Sequence, residues 1–357
     1  MSRRAFSQVG SAAVLGGYFA STSAANDRPE PNDRIRIAFV GTQNQAGYSI
    51  ENLRGEEMTA LCDVDDSYLH RRGEQFPHAR RYSDFRKMLD KEASRIDAVV
   101  VATPDHIHAR ATAMALRLGK HVYCEKPLTH TVHEARVIAE LTRQAKVATQ
   151  MGTQVHAGDN YRRVVEWIQS GVIGSVRTVF TWCNKGWSDG RFQFGKPTPA
   201  HLNWDLWLGP APKRPYSENV HPANWRRFWD YGTGTLGDMG CHIIDLAQWA
   251  LDLGRPTSCW AEGPAVDAVG TPTWIMSHLD FPSRGRRPPI TLHWSDGGKH
   301  HEFVKETKDE NGRTLASYGL GVLFVGDEGM LFADYGKRLL LPIEKFKDVA
   351  PPKQSIS

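Results

Sequence analysis

Apolar positions along the chain follow two rhythms. From residue 34 to about 150, short unbroken apolar runs alternate with amphipathic stretches of helical period. Ile35 to Val40, Met58 to Cys62, Ala98 to Ala102, His121 to Cys124 and Val147 to Gln150 read as strands. Between them, Gly47 to Arg54, Ser67 to Glu74, Arg86 to Lys91, Ala109 to Leu118 and Val132 to Gln144 read as helices. Strands apolar on both faces and separated by helices predict a parallel sheet covered on both sides.

The pattern then changes. After a helix over Asn160 to Gln169, Val176 to Trp182 alternates like a half-buried strand. A long stretch from Asn184 to Arg227 is rich in Pro and Gly and, with its flank, holds Trp187, Trp204, Trp207, Trp225 and Trp229. Loops this long usually serve function. Aromatic, polar loops suit sugar rings, although at least half of these tryptophans are expected only to staple the loop down. A helix opening near Gly232 and ending at Leu251 follows. Strands are expected over Ser258 to Ala261, Thr273 to Phe281, Ile290 to Trp294, Gly321 to Gly326 and Gly329 to Ala333. The expected fold is α/β: an N-terminal parallel sheet covered on both faces over 34–150, then a C-terminal α+β domain over 151–357 with an open, mostly antiparallel sheet.

Composition adds little to this until the amino terminus. The chain has 357 residues, 40% of them hydrophobic and 24% charged, with a net charge of +4. That balance is ordinary for a soluble globular protein and makes no case for nucleic acid. Residues 1–25 are different. The Arg3-Arg4 pair, Phe6, an apolar Gly/Ala-rich run and a small-residue stretch read as a twin-arginine type signal peptide, which predicts export to the periplasm. The run is too short and too rich in Gly and Ser for a stable membrane span of about 20 residues. Residues 26–33 read as a linker. Five cysteines, widely spaced and without a Cys-x-x-Cys, indicate no disulfide framework or zinc knuckle; one bridge is compatible with an oxidising compartment.

The first strand ends in Gly41-Thr42-Gln43-Asn44-Gln45-Ala46-Gly47, and the second ends at Asp63. Strand, glycine turn, helix, strand and acid, with about 20 residues from glycine to acid, is the layout of a dinucleotide-binding unit. The helix start can take the pyrophosphate and the carboxylate the ribose hydroxyls. Gln43 stands where a second glycine is expected, and Ala46 takes the tolerant third position. Asp63 argues for NAD over NADP, because a carboxylate repels a 2′-phosphate; Asp65 and Asp66 compete for that role.

Two further stretches carry candidate chemistry. In Gly237-Asp238-Met239-Gly240-Cys241-His242-Ile243-Ile244-Asp245, Asp238 and His242 are four apart and share a helical face, where a carboxylate can orient an imidazole as general base. Asp245 lies near that face, and the glycines ahead of Asp238 are expected to let the backbone approach a ligand. In Gly119-Lys120-His121-Val122-Tyr123-Cys124-Glu125-Lys126-Pro127, Lys126 sits beside a proline at a strand end, where open α/β sheets bind ligands.

Together with Ala102-Thr103-Pro104-Asp105-His106-Ile107-His108-Ala109, these stretches resemble the Gfo/Idh/MocA oxidoreductase family over roughly residues 34 to 335. The resemblance implies an N-terminal Rossmann domain followed by an α/β domain, NAD(P), sugar or cyclitol substrates, and a homo-oligomer, dimer or tetramer, formed through the C-terminal sheet. It implies Lys126 and His242 as catalytic residues, with Asp238 positioning substrate and tuning the histidine. Gly41, Gln43, Asn44, Asp63, Thr103, Pro104, His108 and Glu125 fall at cofactor-contacting positions. Asp245, Tyr161, Arg162, Trp187 and Trp225 fall on the substrate side. The expected reaction is hydride transfer between a secondary alcohol and the nicotinamide. The alternatives are a glycoside-cleaving enzyme that oxidises C3 transiently and eliminates the aglycone, and a non-catalytic carbohydrate-binding protein. No metal is expected, a site built on Asp238, His242 and neighbouring histidines being a lesser alternative. Gln43 departs from the family pattern, and similar family members usually continue past Pro351-Pro352 into a helical segment.

Overall fold

A computed structural model describes residues 34–356. The expected signal peptide and linker lie outside the described residues. The described chain forms two compact units. The first gathers the chain up to Gly152 together with residues 192–225 and 230–232; the second comprises 153–191, 226–229 and the chain from Thr233 onward.

The first unit is built on six parallel strands: β1 (Arg36–Val40), β2 (Glu57–Cys62), β3 (Arg80–Tyr82), β4 (Ala98–Val101), β5 (His121–Glu125) and β6 (Thr149–Gly152). Their order is β3-β2-β1-β4-β5-β6. The helices between them are α1 (Gln45–Asn52), α2 (Asp66–Gln75), α3 (Phe85–Glu92), α4 (Asp105–Arg117) and α5 (Val132–Ala145). Strand alternation divides the core in two. Ile37, Phe39, Leu61 and Val100 pack with Ala46 and Ile50 of α1 and Leu69 of α2. Ala38, Val40, Val99 and Val101 pack on the other face with Met88 and Leu89 of α3 and Ala111, Ala115 and Leu116 of α4. Both faces are buried, so the strands read as continuous apolar runs.

Two elements of this unit differ from the sequence expectation by more than a shift of their ends. Strand β3 carries no apolar run; it forms by pairing its backbone with β2 while Arg80 forms an ion pair with buried Glu92. Helix α4 starts at Asp105, four residues early, because Pro104 takes the cap position and the following histidines are buried, so the polar stretch is helix and not turn. Helix α5 begins as its sequence suggests, with a Thr131/Glu134 capping box.

The second unit is a seven-stranded mixed sheet. After α6 (Asp159–Gln169) come β7 (Val176–Cys183), α7 (Gly234–Leu251), β8 (Ser258–Glu262), β9 (Met276–Phe281), β10 (Ile290–Asp296), β11 (Leu320–Gly326), β12 (Met330–Ala333) and β13 (Arg338–Leu341). The order is β13-β12-β11-β7-β10-β9-β8. Only the β7–β10 pair is parallel among these neighbours. Helices α6 and α7 cover one face through Tyr161, Val164, Ile168, Met239, Ile243 and Leu246, which pack against Val179, Leu292 and Phe324. On the other face Phe180, Trp182, Leu323 and Phe332 form a smaller cluster with Val304 and Leu315. Strand β8 is exposed at every position.

The tryptophan-rich segment, expected with the second domain, clusters largely with the first unit. Trp204 and Trp207 stack at 4.7 Å, and both are buried, as is Trp225; they are staples. None of the five cysteines forms a disulfide. No helix among the described residues is long and apolar enough to cross a membrane.

Gly321 in β11 tests how tightly the smaller cluster is packed. A Cβ there would lie 2.5 Å from the Trp182 ring and 2.7 Å from the Phe332 ring. Gly321→Ala is expected to destabilise the protein by about 2 kcal/mol, read as a lower denaturant midpoint at unchanged slope.

Candidate active site

In the first unit, the expected cofactor residues line the C-terminal edge of the parallel sheet, where α/β sheets bind nucleotides. Gly41 ends β1 at φ 91°. A Cβ on it would stand 2.4 Å from the Ala102 carbonyl oxygen, so only glycine lets β1 and β4 come so close. Asp63 reaches back to this turn. Its Oδ2 accepts from the Thr42 N–H and hydroxyl, both at 2.9 Å, and its Oδ1 accepts from the Asp65 N–H. Burial pushes its carboxyl up, against the lowering effect of these bonds. Asp65 is spent elsewhere: it caps α2 through the Ser67 and Tyr68 N–H groups, with the rings of His201 and His221 at 3.6 and 3.5 Å. That leaves Asp63 as the acid nearest the glycine turn.

The turn solves the missing second glycine in an unexpected way. The residue with positive φ is Asn44 (φ 56°, ψ −117°), beside Gln43, and it precedes α1 without capping it. Such a backbone costs about 1–3 kcal/mol for a non-glycine residue. An uncapped helix start is a ready anion site.

Glu125 closes the pattern. It is 5% exposed. Its Oε1 faces the Ser49 hydroxyl at 3.4 Å, while Oε2 is buried without a hydrogen-bond partner among the described residues. Burial pushes its carboxyl up to about 7, against the pull of adjacent Lys126. An orphaned buried acceptor, a glycine-only turn and an uncapped helix start fit a dinucleotide whose ribose hydroxyls donate to Glu125 and Asp63 and whose pyrophosphate meets α1. Thr103 and Pro104 follow β4 on the same edge. Lys126 is half-buried, joined to Pro127 by a cis peptide bond, with its backbone N–H on the Gly152 carbonyl.

His108 requires a correction. Its Nδ1 lies 2.7 Å from the Pro127 carbonyl oxygen and its Nε2 2.7 Å from that of Thr103. With both nitrogens engaged, the ring ties the Thr103 turn to the Lys126-Pro127 turn. His106 was not singled out by the sequence. Fully buried, it bonds the Trp207 carbonyl at 3.0 Å, and burial lowers its pKa to about 4; the neutral ring anchors the tryptophan segment on α4.

In the second unit, α7 presents Asp238, His242 and Asp245 within two turns. Each has a partner remote in sequence. The Asp238 Oδ1 accepts from Arg226 Nε at 2.9 Å, and the Arg226 guanidinium lies over the Trp187 ring at 5.3 Å. His242 is 7% exposed, and its Nδ1 is 3.3 Å from the Gln154 carbonyl oxygen. A carbonyl only accepts, so in this contact Nδ1 carries the hydrogen and Nε2 is the basic nitrogen of the neutral ring. Asp245 pairs with His156, Oδ2 to Nδ1 at 2.6 Å. Arg226, Gln154 and His156 thus join the site although the sequence pattern did not single them out; helical spacing shows which residues share a face, never what reaches it from another segment.

Three expectations change here. Tyr161 is 1% exposed and donates its hydroxyl to the His242 carbonyl at 3.0 Å; it positions α7 from beneath and offers no free surface to a substrate. Trp225 is a buried residue of the first unit, without the open face a sugar platform needs. The glycines ahead of Asp238 accommodate the protein's own side chains: a Cβ would meet Thr271 at Gly234 and Thr233 at Gly237. Trp187 is partly buried, with its Nε1 lacking a hydrogen-bond partner, and Arg162 is partly exposed on α6. Among the described residues no group of three or more His, Cys, Asp or Glu is arranged to hold a metal ion.

Comparison with known proteins agrees with this layout. Residues 35–153 match the description "Oxidoreductase family, NAD-binding Rossmann fold", and residues 161–280 match "Oxidoreductase family, C-terminal alpha/beta domain". Levoglucosan dehydrogenase of Pseudarthrobacter phenanthrenivorans is 26% identical over 200 residues, covering 54% of this chain and 40% of the relative. A glycosyl hydrolase family 109 protein of Solibacter usitatus is 30% identical over 202 residues, covering 49% of this chain and 44% of the relative. The match thus spans less than half the length of either relative. Among solved structures, GenD2 from gentamicin A biosynthesis, crystallised with NAD, superposes with a TM-score of 0.61 at 20% identity, covering 88% of this chain and 75% of that one; at that identity the likeness speaks for the fold.

Two substitutions check the cofactor edge. Glu125→Gln removes a carboxyl whose folded pKa is raised. A raised pKa means the folded state binds more protons than the unfolded state between about 4.5 and about 7, so stability is lost as pH rises through that window. Denaturant unfolding of the cofactor-free protein at pH 5 and pH 8 is expected to show wild type losing up to about 3 kcal/mol relative to Glu125→Gln. Asn44→Gly is expected to raise the unfolding midpoint by about 1 kcal/mol, relief of strain exceeding the entropy cost of glycine.

Proposed function

Since the chain belongs to the Gfo/Idh/MocA oxidoreductase family, we propose that it transfers hydride between NAD and a secondary alcohol of a sugar or cyclitol. The observation that carries this reading is the state of His242. Its Nδ1 faces the Gln154 carbonyl, so Nε2 is the acceptor, on the same helix as two carboxylates and in a chain with an NAD-binding Rossmann domain. NAD, when bound, supplies the acceptor for hydride leaving the carbinol carbon. The protein's own share is the proton and the developing charge. His242 Nε2 takes the hydroxyl proton. The Lys126 ammonium stabilises the alkoxide as it forms. Arg226, fixed by Asp238, offers donors to neighbouring hydroxyls, and Trp187 offers an apolar edge to a sugar ring.

A carbohydrate substrate is supported by the names of the relatives, a levoglucosan dehydrogenase and a glycosyl hydrolase. NAD is favoured over NADP by Asp63. Export through the paired-arginine leader is part of the same reading; outside the cytoplasm the cofactor stays bound and is restored by a second substrate. Self-association takes place through the C-terminal sheet, where β8 is exposed along its length and Trp260 is 51% exposed. A glycoside-cleaving use of the same residues is the second reading, favoured by the pairing of His156 with Asp245 of the same helix.

His242→Gln and Lys126→Ala are each expected to lower kcat/KM for sugar oxidation about 10²–10⁴-fold, while NADH binding, followed by fluorescence, persists. Full turnover in His242→Gln would refute the reading. Purified protein denatured with acid is expected to release NAD(H), identified by mass.

A further inference from the structure

Residues 192–225 cluster with the first unit although the chain on either side belongs to the second. Two fixed points define their path. Leu202 bridges Asp65 antiparallel: the Asp66 N–H donates to the His201 carbonyl at 2.8 Å and the Asn203 N–H to the Val64 carbonyl at 2.9 Å. This seats the segment on the chain directly after Asp63. A short helical stretch, Trp204–Leu208, follows. Its Trp207 carbonyl lies 3.0 Å from His106 Nε2, and a Cβ on Gly209 would stand 2.5 Å from Ile107 Cδ1. His106 and Ile107 belong to the first turn of α4, directly after β4. The sheet order puts β1 between β2 and β4. Residues 201–209 therefore reach from one side of the Gly41 turn to the other, along the sheet edge that takes a dinucleotide.

The two ends are held differently. At α4 the contact is packed: His106 and Trp207 are buried, and Trp204 stacks on Trp207 at 4.7 Å. At Asp65 the two backbone bonds are made, but the side-chain contacts are slack. His201 Nε2 and His221 Nε2 stand 3.6 and 3.5 Å from Asp65 Oδ2, longer than a formed N–H···O bond. Both ring nitrogens of His221 are buried without a hydrogen-bond partner among the described residues, although buried polar groups are normally satisfied. Asp65 Oδ1 is already committed to the Ser67 and Tyr68 N–H groups at the start of α2, so Oδ2 is the oxygen left for the imidazoles. One end fixed by aromatic packing, and one whose side-chain hydrogen bonds are still to be made, describe a strap that pivots on α4 and fastens at Asp65.

We propose that residues 201–222 are a strap over the adenosine half of the NAD site, fastened at Asp65 by His201 and His221, and that its opening sets the rate at which NAD leaves. The inference deepens the reading in which the cofactor stays bound between turnovers. It rests on the NAD site and not on the hydride step or its substrate. The adenosine half is the part concerned because the fastening lies two residues beyond Asp63, the carboxylate suited to the ribose. In the fastened strap both imidazoles donate to Asp65 Oδ2, and the Tyr68 ring, 5.9 Å from that of His221, closes the same side. Departure of the cofactor then requires the strap to lift first, a kind of step that limits release in many enzymes with closing loops. His201 and His221 are positioning residues here: they hold the strap.

The test follows release of NADH from the loaded full-length protein, read as loss of its protein-bound fluorescence on mixing with excess NAD. His201→Ala, whose side chain is 52% exposed in wild type, and His221→Gln are each expected to release NADH about 10-fold faster, the effect of losing one hydrogen bond to a carboxylate. The association rate is expected to stay as in wild type. Release at the wild-type rate in both variants would overturn the proposal. A second variant reads the strap without touching the histidines. Directly opposed residues of an antiparallel pair lie within disulfide reach, so Asp65→Cys with Leu202→Cys lets the fastening be locked and unlocked in one protein. Oxidation is expected to slow release at least about 10-fold relative to the same protein after reduction. Equal rates in the two states would overturn the strap even if a histidine variant fails to fold. Failure of wild type to bind NADH would remove the NAD site and the strap together. NADH formation from a sugar, measured separately, tests the hydride reading, which stands or falls independently of the strap.

Discussion

Taking charge out of water costs several kcal/mol per ion unless a partner is supplied, and this constraint organises the substrate-side helix. Asp238 is 5% exposed and His242 7% exposed, and neither can be satisfied by the helix backbone, whose groups are used within the helix itself. Partners therefore come from outside: Arg226 from the segment before the helix, and the Gln154 carbonyl from the turn after the parallel sheet's last strand. Asp245, less buried, takes His156 from that same turn. The helix is pinned from below by the Tyr161 hydroxyl on the His242 carbonyl. Taking a hydrogen-bond partner from a buried group costs more than the contact itself contributes.

The cofactor side rests on the opposite device, an acceptor left unpaired. Glu125 Oε2 has no hydrogen-bond partner among the described residues, and burial pushes its carboxyl up to about 7. The unpartnered group, the strained Asn44 backbone and the uncapped start of α1 are all liabilities to an empty protein. In the proposed reading a dinucleotide turns them into interactions, which is how a site stores affinity at the expense of stability. The ring of His108 shows the complementary arrangement, a residue fully engaged in tying two turns together.

The tryptophan-rich segment illustrates how composition misleads about role. Its aromatics suggest a sugar platform, yet Trp204, Trp207 and Trp225 are buried. Trp207 and His106 hold the segment to the first unit. Trp187, lying against Arg226, is the member of the set that accompanies the polar face of α7. Burial of large aromatic area is the default use of such residues, and sequence spacing does not distinguish it from recognition.

Much of this was legible in the sequence because it depends on local rules. The period of apolar residues located the core strands of both sheets, since burial on one or two faces writes itself into alternation or continuous runs. Gly41 and Asp63 were readable because a glycine-only turn and an acid at the next strand end are fixed by backbone geometry. Lys126, His242 and the family resemblance were carried by short contiguous motifs. What the sequence did not determine was pairing at a distance. Strand β3 exists because β2 offers an edge; Asp65 is occupied because it caps α2 and meets two histidines. The tautomer of His242 and the second imidazole at Asp245 are set by a turn about 90 residues upstream, through a left-handed Val155 that no local propensity would predict. Local pattern determines which residues share a face; only the folded chain decides which remote atoms come to meet them, because that depends on how each segment is packed and not on its own sequence.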